Sequence, residues 1–179
     1  MKRQWKGLAL KRDKIILGID PGSSVTGYSL ISIQDGKNSL VRYGTIRIPA
    51  KIDLSQKLKK IYDSVLEIIH QHKPDEMAIE EAFYSKNVKS TMVIGQARGA
   101  AILAAGQAGI PVTEYSPREI KLSIVGLGNA SKSQVQYMVK NLLNLAEPPQ
   151  PEDAADALAI ALCHAHKIDG RNRLKAIRG

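Results

Sequence analysis

Ile15-Ile16-Leu17-Gly18-Ile19-Asp20, running into Pro21-Gly22-Ser23-Ser24, is the stretch whose reading decides the fold. An unbroken apolar run closed by an acid predicts a central strand buried on both faces. The Pro-Gly-Ser-Ser that follows is a turn, so residues 26–34 return as a second strand. Asp35-Gly36-Lys37-Asn38 is a hairpin signal, and residues 39–48 form a third strand. These short connections make the opening an antiparallel meander. Beyond it, helices and strands alternate. Asp53 caps a helix to about His72 with Leu58, Ile61, Val65 and Ile69 on one face. Residues 77–81 form a fourth strand, 88–107 a helix rich in Gly and Ala, and 110–115 a fifth strand. Ser116-Pro117-Arg118-Glu119 and Ser131-Lys132-Ser133-Gln134 are capping boxes that open two more helices. The first is broken at Gly126-Leu127-Gly128; the second runs to about Leu145. A last helix spans residues 152–167. The order β-β-β-α-β-α-β-α-α-α predicts an α/β fold. Its mixed five-stranded sheet has three meandering antiparallel strands, two parallel strands and helices on both faces.

At 179 residues the chain has the size of one domain. Its 44% apolar and 24% charged composition supports an ordinary core and excludes a disordered or low-complexity chain. A single cysteine, Cys163, excludes an internal disulfide framework and reads as an apolar filler. The most apolar long stretch, residues 92–110, carries Gln96, Arg98 and Gln107, which a bilayer span disfavours. With no secretory h-region either, the expectation is a cytoplasmic protein without a membrane partner. The net charge of +9 sits at the ends: six basic residues against one acid in 1–14, and five against one in 167–179. Residues 1–14 therefore read as a disordered basic extension, 15–168 as the folded domain and 169–179 as a basic tail. Such ends suit a polyanion, and equally serve solubility.

Four acids stand where acids are costly. Asp20 ends the buried strand, Glu80 follows Met77-Ala78-Ile79, and Asp153 and Asp156 begin a helix that is otherwise apolar nearly all round. Each has a bland explanation: a turn acid for Asp20, an outward-facing neighbour (Glu81) sharing the strand end with Glu80, a helix N-terminus for Asp153. Asp156, one turn in among alanines and on the face of Asp153, is the hardest to excuse. Carboxylates facing a core need a base, a proton or a cation. Gathered together they form a hard-oxygen site that suits Mg²⁺, and two such ions about 4 Å apart hydrolyse phosphodiesters.

Ile-Leu-Gly-Ile-Asp-Pro-Gly (16–22), Ala-Ile-Glu-Glu-Ala-Phe (78–83), Gly-Gln-Ala-Arg-Gly (95–99) and Asp-Ala-Ala-Asp-Ala-Leu-Ala-Ile-Ala (153–161) resemble, in order, the motifs of the RuvC family of Holliday junction resolvases. The resemblance spans residues 15–166. It implies an RNase H-like fold and a magnesium-dependent endonuclease, with Mn²⁺ as a substitute. It also implies a homodimer that makes paired symmetric nicks in four-way junction DNA, during recombination and repair, leaving 5′-phosphates. It carries catalytic and metal-binding roles onto Asp20, Glu80, Asp153 and Asp156, prefers Glu80 over Glu81, and implies branch-migration partners of the RuvA and RuvB type. Residues 1–14 are extra to the family pattern.

The same resemblance assigns DNA contacts to Lys121 and Lys132. Lys86 belongs with them on the loop that follows Phe83. Phe83 either plugs the core or stacks on an unpaired base, and the family favours stacking. The Gly95/Gly99 helix either packs closely across a two-fold axis or packs on its own sheet. His70/His72 and His164/His166 lie two apart on helices, a poor zinc spacing, and read as structural residues near helix C-termini. The rivals are an RNA-processing RNase H-like enzyme, an actin-like kinase for which the chain is too short, and a non-catalytic DNA-binding module that leaves the four acids unexplained.

Overall fold

The computed structural model describes residues 13–81 and 88–178, the last six as backbone only. β1 (Lys14–Asp20) is the middle strand of a five-stranded sheet in the order β3-β2-β1-β4-β5. It runs antiparallel to β2 (Val25–Gln34), which is antiparallel to β3 (Lys37–Arg47). It runs parallel to β4 (Glu76–Glu80), which is parallel to β5 (Val112–Tyr115). Ile16, Leu17 and Ile19 are wholly buried, as a two-sided strand requires.

Helices α1 (Leu54–His72) and α2 (Val88–Gln107) pack on one face, with Leu17, Ile19, Met77 and Ile79 in their core. On the other face, Ile16 and Ala78 pack with α3 (Pro117–Val125), α4 (Lys132–Leu142) and α5 (Glu152–Arg178). Alternation along β1 and β4 therefore aims Asp20 and Glu80, two residues past Gly18 and Ala78, toward the α5 face. Both capping boxes form: Ser116 accepts from the Glu119 amide and Ser131 from the Gln134 amide, each answered by the reciprocal side-chain bond. Among the described residues no helix is long and apolar enough to cross a membrane.

Three local expectations change. Asp53 occupies the N-cap of α1, but its side chain makes no capping bond. Lys14 belongs to β1, not to the extension: it pairs with Ile33, and its ammonium bonds Glu76. The last helix does not stop near Lys167 but continues to Arg178. No proline interrupts residues 168–178, one Gly170 is tolerated, and basic residues suit a helix C-terminus. The segment read as a tail is thus the end of α5.

α5 lies unusually close to the sheet. A β-carbon built on Gly27 would stand 1.9 Å from the Asp153 carbonyl oxygen, and one on Gly18 would stand 2.3 Å from that of Ala157. Only strand residues without side chains permit this backbone approach. Ser29 on β2 fixes the register by donating its hydroxyl to the Ala157 carbonyl at 2.8 Å. Two consequences are measurable by urea unfolding. Gly27→Ala should cost about 1–3 kcal/mol, because α5 must shift. Gly170→Ala, where nothing lies within 4 Å, should stabilise by up to about 1 kcal/mol if the helix continues through that position. Equal effects at the two sites would contradict this packing.

Candidate functional site

The register of the two parallel strands brings the first two acids together. Ile19 pairs with Ile79, so Asp20 and Glu80 are the next residues at the same end of neighbouring strands. Glu81 lies past the end of β4 and is exposed, whereas Glu80 is half-buried at the strand end. The docking of α5 over Gly27 and Gly18 sets its first turns above that strand end. Asp20, Glu80, Asp153 and Asp156 consequently line one cavity of about 310 Å³.

Lys121 and Lys132 line the same cavity, from α3 and from the first turn of α4. The sequence offered no evident base for these acids, yet the Lys132 Nζ reaches Asp156 Oδ2 at 3.1 Å and Glu152 Oε2 at 3.7 Å. Its hydrogen bond to Asp156 raises the Lys132 pKa. Lys132 is 64% exposed, so this pairing is screened and exchangeable. Phe83 and Lys86 lie outside the described residues.

One lysine bond does not neutralise the cluster. Burial, then the charges of Glu80, Asp156 and Asp153, push the Asp20 pKa up to about 8, against a smaller pull from Lys132. Burial and Asp156 push Glu80 up to about 7, opposed by Lys132 and Lys121. Like charges sharing a low-dielectric cavity disfavour ionisation. A divalent cation would reverse that preference, and an all-carboxylate oxygen donor set suits Mg²⁺ or Mn²⁺. Among the described residues, no three metal-ligating side chains are drawn up as a ready-made ion cage. The acids share a cavity without closing on one point, while Lys132 holds Asp156.

The histidines serve the frame. His164 is not near a helix end: it is buried in the middle of α5, because the helix runs on past it. Its Nε2 meets Glu76 Oε2 and its Nδ1 meets the Tyr115 hydroxyl, both at 2.7 Å. Burial works to raise the Glu76 pKa, but bonds from Lys14 and His164 hold it below the ordinary value. An ionised Glu76 accepts from Nε2–H, which leaves Nδ1 to accept from the tyrosine hydroxyl. This chain ties α5 to β4 and β5. His166 reaches the Ser123 hydroxyl at 3.1 Å, and Cys163 is fully buried. Sequence reading missed Gly18, Gly27 and Ser29 as the residues that dock α5, although glycines inside two predicted strands were the available signal.

The family model for crossover junction endodeoxyribonuclease RuvC matches residues 16–164. A crossover junction endodeoxyribonuclease RuvC of Pelotomaculum thermopropionicum is 44% identical over 161 residues, covering 90% of this chain and 98% of its own. That of Tolumonas auensis is 57% identical over 152 residues, covering 85% and 87%. Among solved structures, T. thermophilus RuvC in complex with a Holliday junction substrate superposes with a TM-score of 0.82 at 34% identity, covering 87% of this chain and 94% of that one.

The raised carboxyl pKa values have a testable sign. Folded Asp20 keeps its proton up to about pH 8, whereas an unfolded aspartate loses it near pH 4, so without metal the folded state loses stability as pH rises through that window. Asp20→Asn should therefore be more stable than wild type at pH 8 in EDTA and indistinguishable from it near pH 4. Mg²⁺ should narrow the difference at pH 8. Thermal melts of both proteins measure this, and a pH-independent difference would contradict it.

Proposed function

The chain belongs to the RuvC family of crossover junction endodeoxyribonucleases, and from that premise we propose how its acid-lined cavity resolves a four-way DNA junction. One observation carries the reading: carboxylates from β1, β4 and α5 share one cavity and are too many for its lysines to neutralise. Asp20, Glu80, Asp153 and Asp156 are the residues that would hold two Mg²⁺ ions, with Mn²⁺ able to substitute. When bound, the ions supply Lewis acidity at the phosphate and a hydroxide at neutral pH.

The chain's own groups do the rest. Asp20 couples electrostatically to all three other acids, and with them it would hold the ions. Glu80 holds the side from which water attacks. Asp156 and Asp153 would supply further oxygen donors, and Asp153 would orient the water or take its proton. Water adds in line to phosphorus and the 3′-oxygen leaves as a hydroxyl, so each nick carries a 5′-phosphate. Lys121 and Lys132 meet phosphate oxygens as point charges. An arriving phosphate would give Lys132 a new partner in place of Asp156, whose carboxylate would then be available to help hold the ions. Phe83 stacks on an unpaired base at the junction centre, and Lys86 contacts the backbone beside it.

Two symmetric nicks call for two copies of the site, and a homodimer provides them. α2 supports this. Ala97, Ala101, Ala104 and Ala105 bury its inner face. Val88, Met92 and Leu103 are exposed, on one stripe with Gly95, Gly99 and Gly106, which have nothing within 4 Å. An apolar, small-residue outer stripe on an otherwise packed helix suits a second copy of the chain. The protein acts on cytoplasmic DNA, with branch-migration proteins of the RuvA and RuvB type.

Glu80→Gln should bind a mobile four-way junction with wild-type affinity and nick it about 10²-fold more slowly or worse in Mg²⁺, with matched duplex uncut by either protein. Parallel loss of binding and nicking would make Glu80 structural. Separately, Gly99→Glu should yield a monomer in sedimentation and convert paired nicks into single ones. A dimer unchanged by that substitution would remove α2 from the interface.

A further inference from the structure

A second cleft opens on the opposite face of the sheet from the acids. It has a volume of about 330 Å³ and is lined by Ser23, Ser24, Lys57, Lys89, Ser90 and Val93. These come from three separate segments: the turn after β1, the first turn of α1 and the first two turns of α2. No acid lines it among the described residues, whereas the cleft between β3 and α1 includes Glu67 and the catalytic cavity includes four carboxylates. Two ammonium groups brought to one concavity repel each other unless an anion sits between them. The Ser23 and Ser24 hydroxyls beside them add neutral donors, the combination that recognises a phosphate oxygen.

The turn that contributes the serines is fixed. Thr26, wholly buried, donates its hydroxyl to the Gly22 carbonyl at 3.3 Å, and the Ile48 amide donates to the Ser24 carbonyl at 2.9 Å. Ser23 follows Asp20 by three residues, so their backbones are at most about 11 Å apart. Phosphates recur about every 3.4 Å of axis along one strand. The Ser23 side of the cleft thus stands within about three nucleotide steps of the Asp20 backbone.

We propose that this cleft is a second phosphate subsite, in which Lys57 and Lys89 grip the backbone of the strand being cut, within about three nucleotides of the scissile phosphate. The proposal rests on the reading of the chain as a junction nuclease. It assigns to the Pro-Gly-Ser-Ser turn a role in holding the strand taut across the end of β1.

The test uses full-length protein carrying Glu80→Gln, so that binding is measured without cutting. Lys57→Ala/Lys89→Ala should weaken four-way junction binding about tenfold and lower the slope of log Kd against log salt by about 1–2. Lys57→Arg/Lys89→Arg should restore both. A scan placing one methylphosphonate at a time near the cut should find a linkage whose neutralisation weakens the parent but not the alanine variant. Lys37→Ala/Lys140→Ala, far from the cleft, controls for net charge and should show neither effect. An unchanged salt slope, or a methylphosphonate scan identical in parent and variant, would overturn the subsite while leaving the nuclease reading intact. Failure of both the wild-type protein and the parent to bind junctions would instead sink both.

Discussion

The contact on which the rest of the molecule depends is that of α5 with two glycines. At Gly27 and Gly18 the helix backbone sits where a side chain would otherwise be. A single methyl group at either position forces the helix outward. Because Asp153 and Asp156 occupy the first turns of that helix, a displacement large enough to admit a β-carbon is comparable to the tolerance of a coordination site. Ser29 sets the register, and the Glu76–His164–Tyr115 chain anchors the far half of the helix. The apolar surface of α5 is buried between the sheet and the pair α3 and α4. The frame is therefore rigid where the acids need it to be, although the acids themselves oppose folding.

That opposition is the second theme. Burial raises the proton affinity of Asp20 and Glu80, and the neighbouring carboxylates add to it. Lys132 is the partner nearest to hand, but it sits on an exposed, flexible stem and meets only one side of the cluster. Such an exposed pairing is screened by solvent and exchangeable. Lys121 and Lys132 line the same cavity as the acids.

Much of this was legible in the residues. The run Ile15 to Asp20 reads as a two-sided strand because nothing polar interrupts it, and the capping boxes at Ser116 and Ser131 form because their bonds are local. Asp20 and Glu80 were each visible as acids ending apolar strands. That they are neighbours required the parallel register of β1 and β4, which no local pattern specifies. The convergence of Asp153 and Asp156 on them required the glycine contacts. Local reading also placed His164 near a helix end, because basic residues after Lys167 resembled a tail; a helix whose last turns are polar gives no apolar period to follow. The partnership of Lys132 with Asp156 crosses 24 residues and depends on how α4 leans on α5.

The central claim is that acids from distant parts of the chain gather around divalent cations once α5 is docked. Anomalous diffraction from crystals soaked in Mn²⁺ tests it most directly. The account predicts manganese peaks bounded by Asp20, Glu80, Asp153 and Asp156, with the Lys132 ammonium withdrawn from Asp156. Crystals that take up manganese elsewhere, or none at this cavity with the Lys132–Asp156 bond intact, would contradict it.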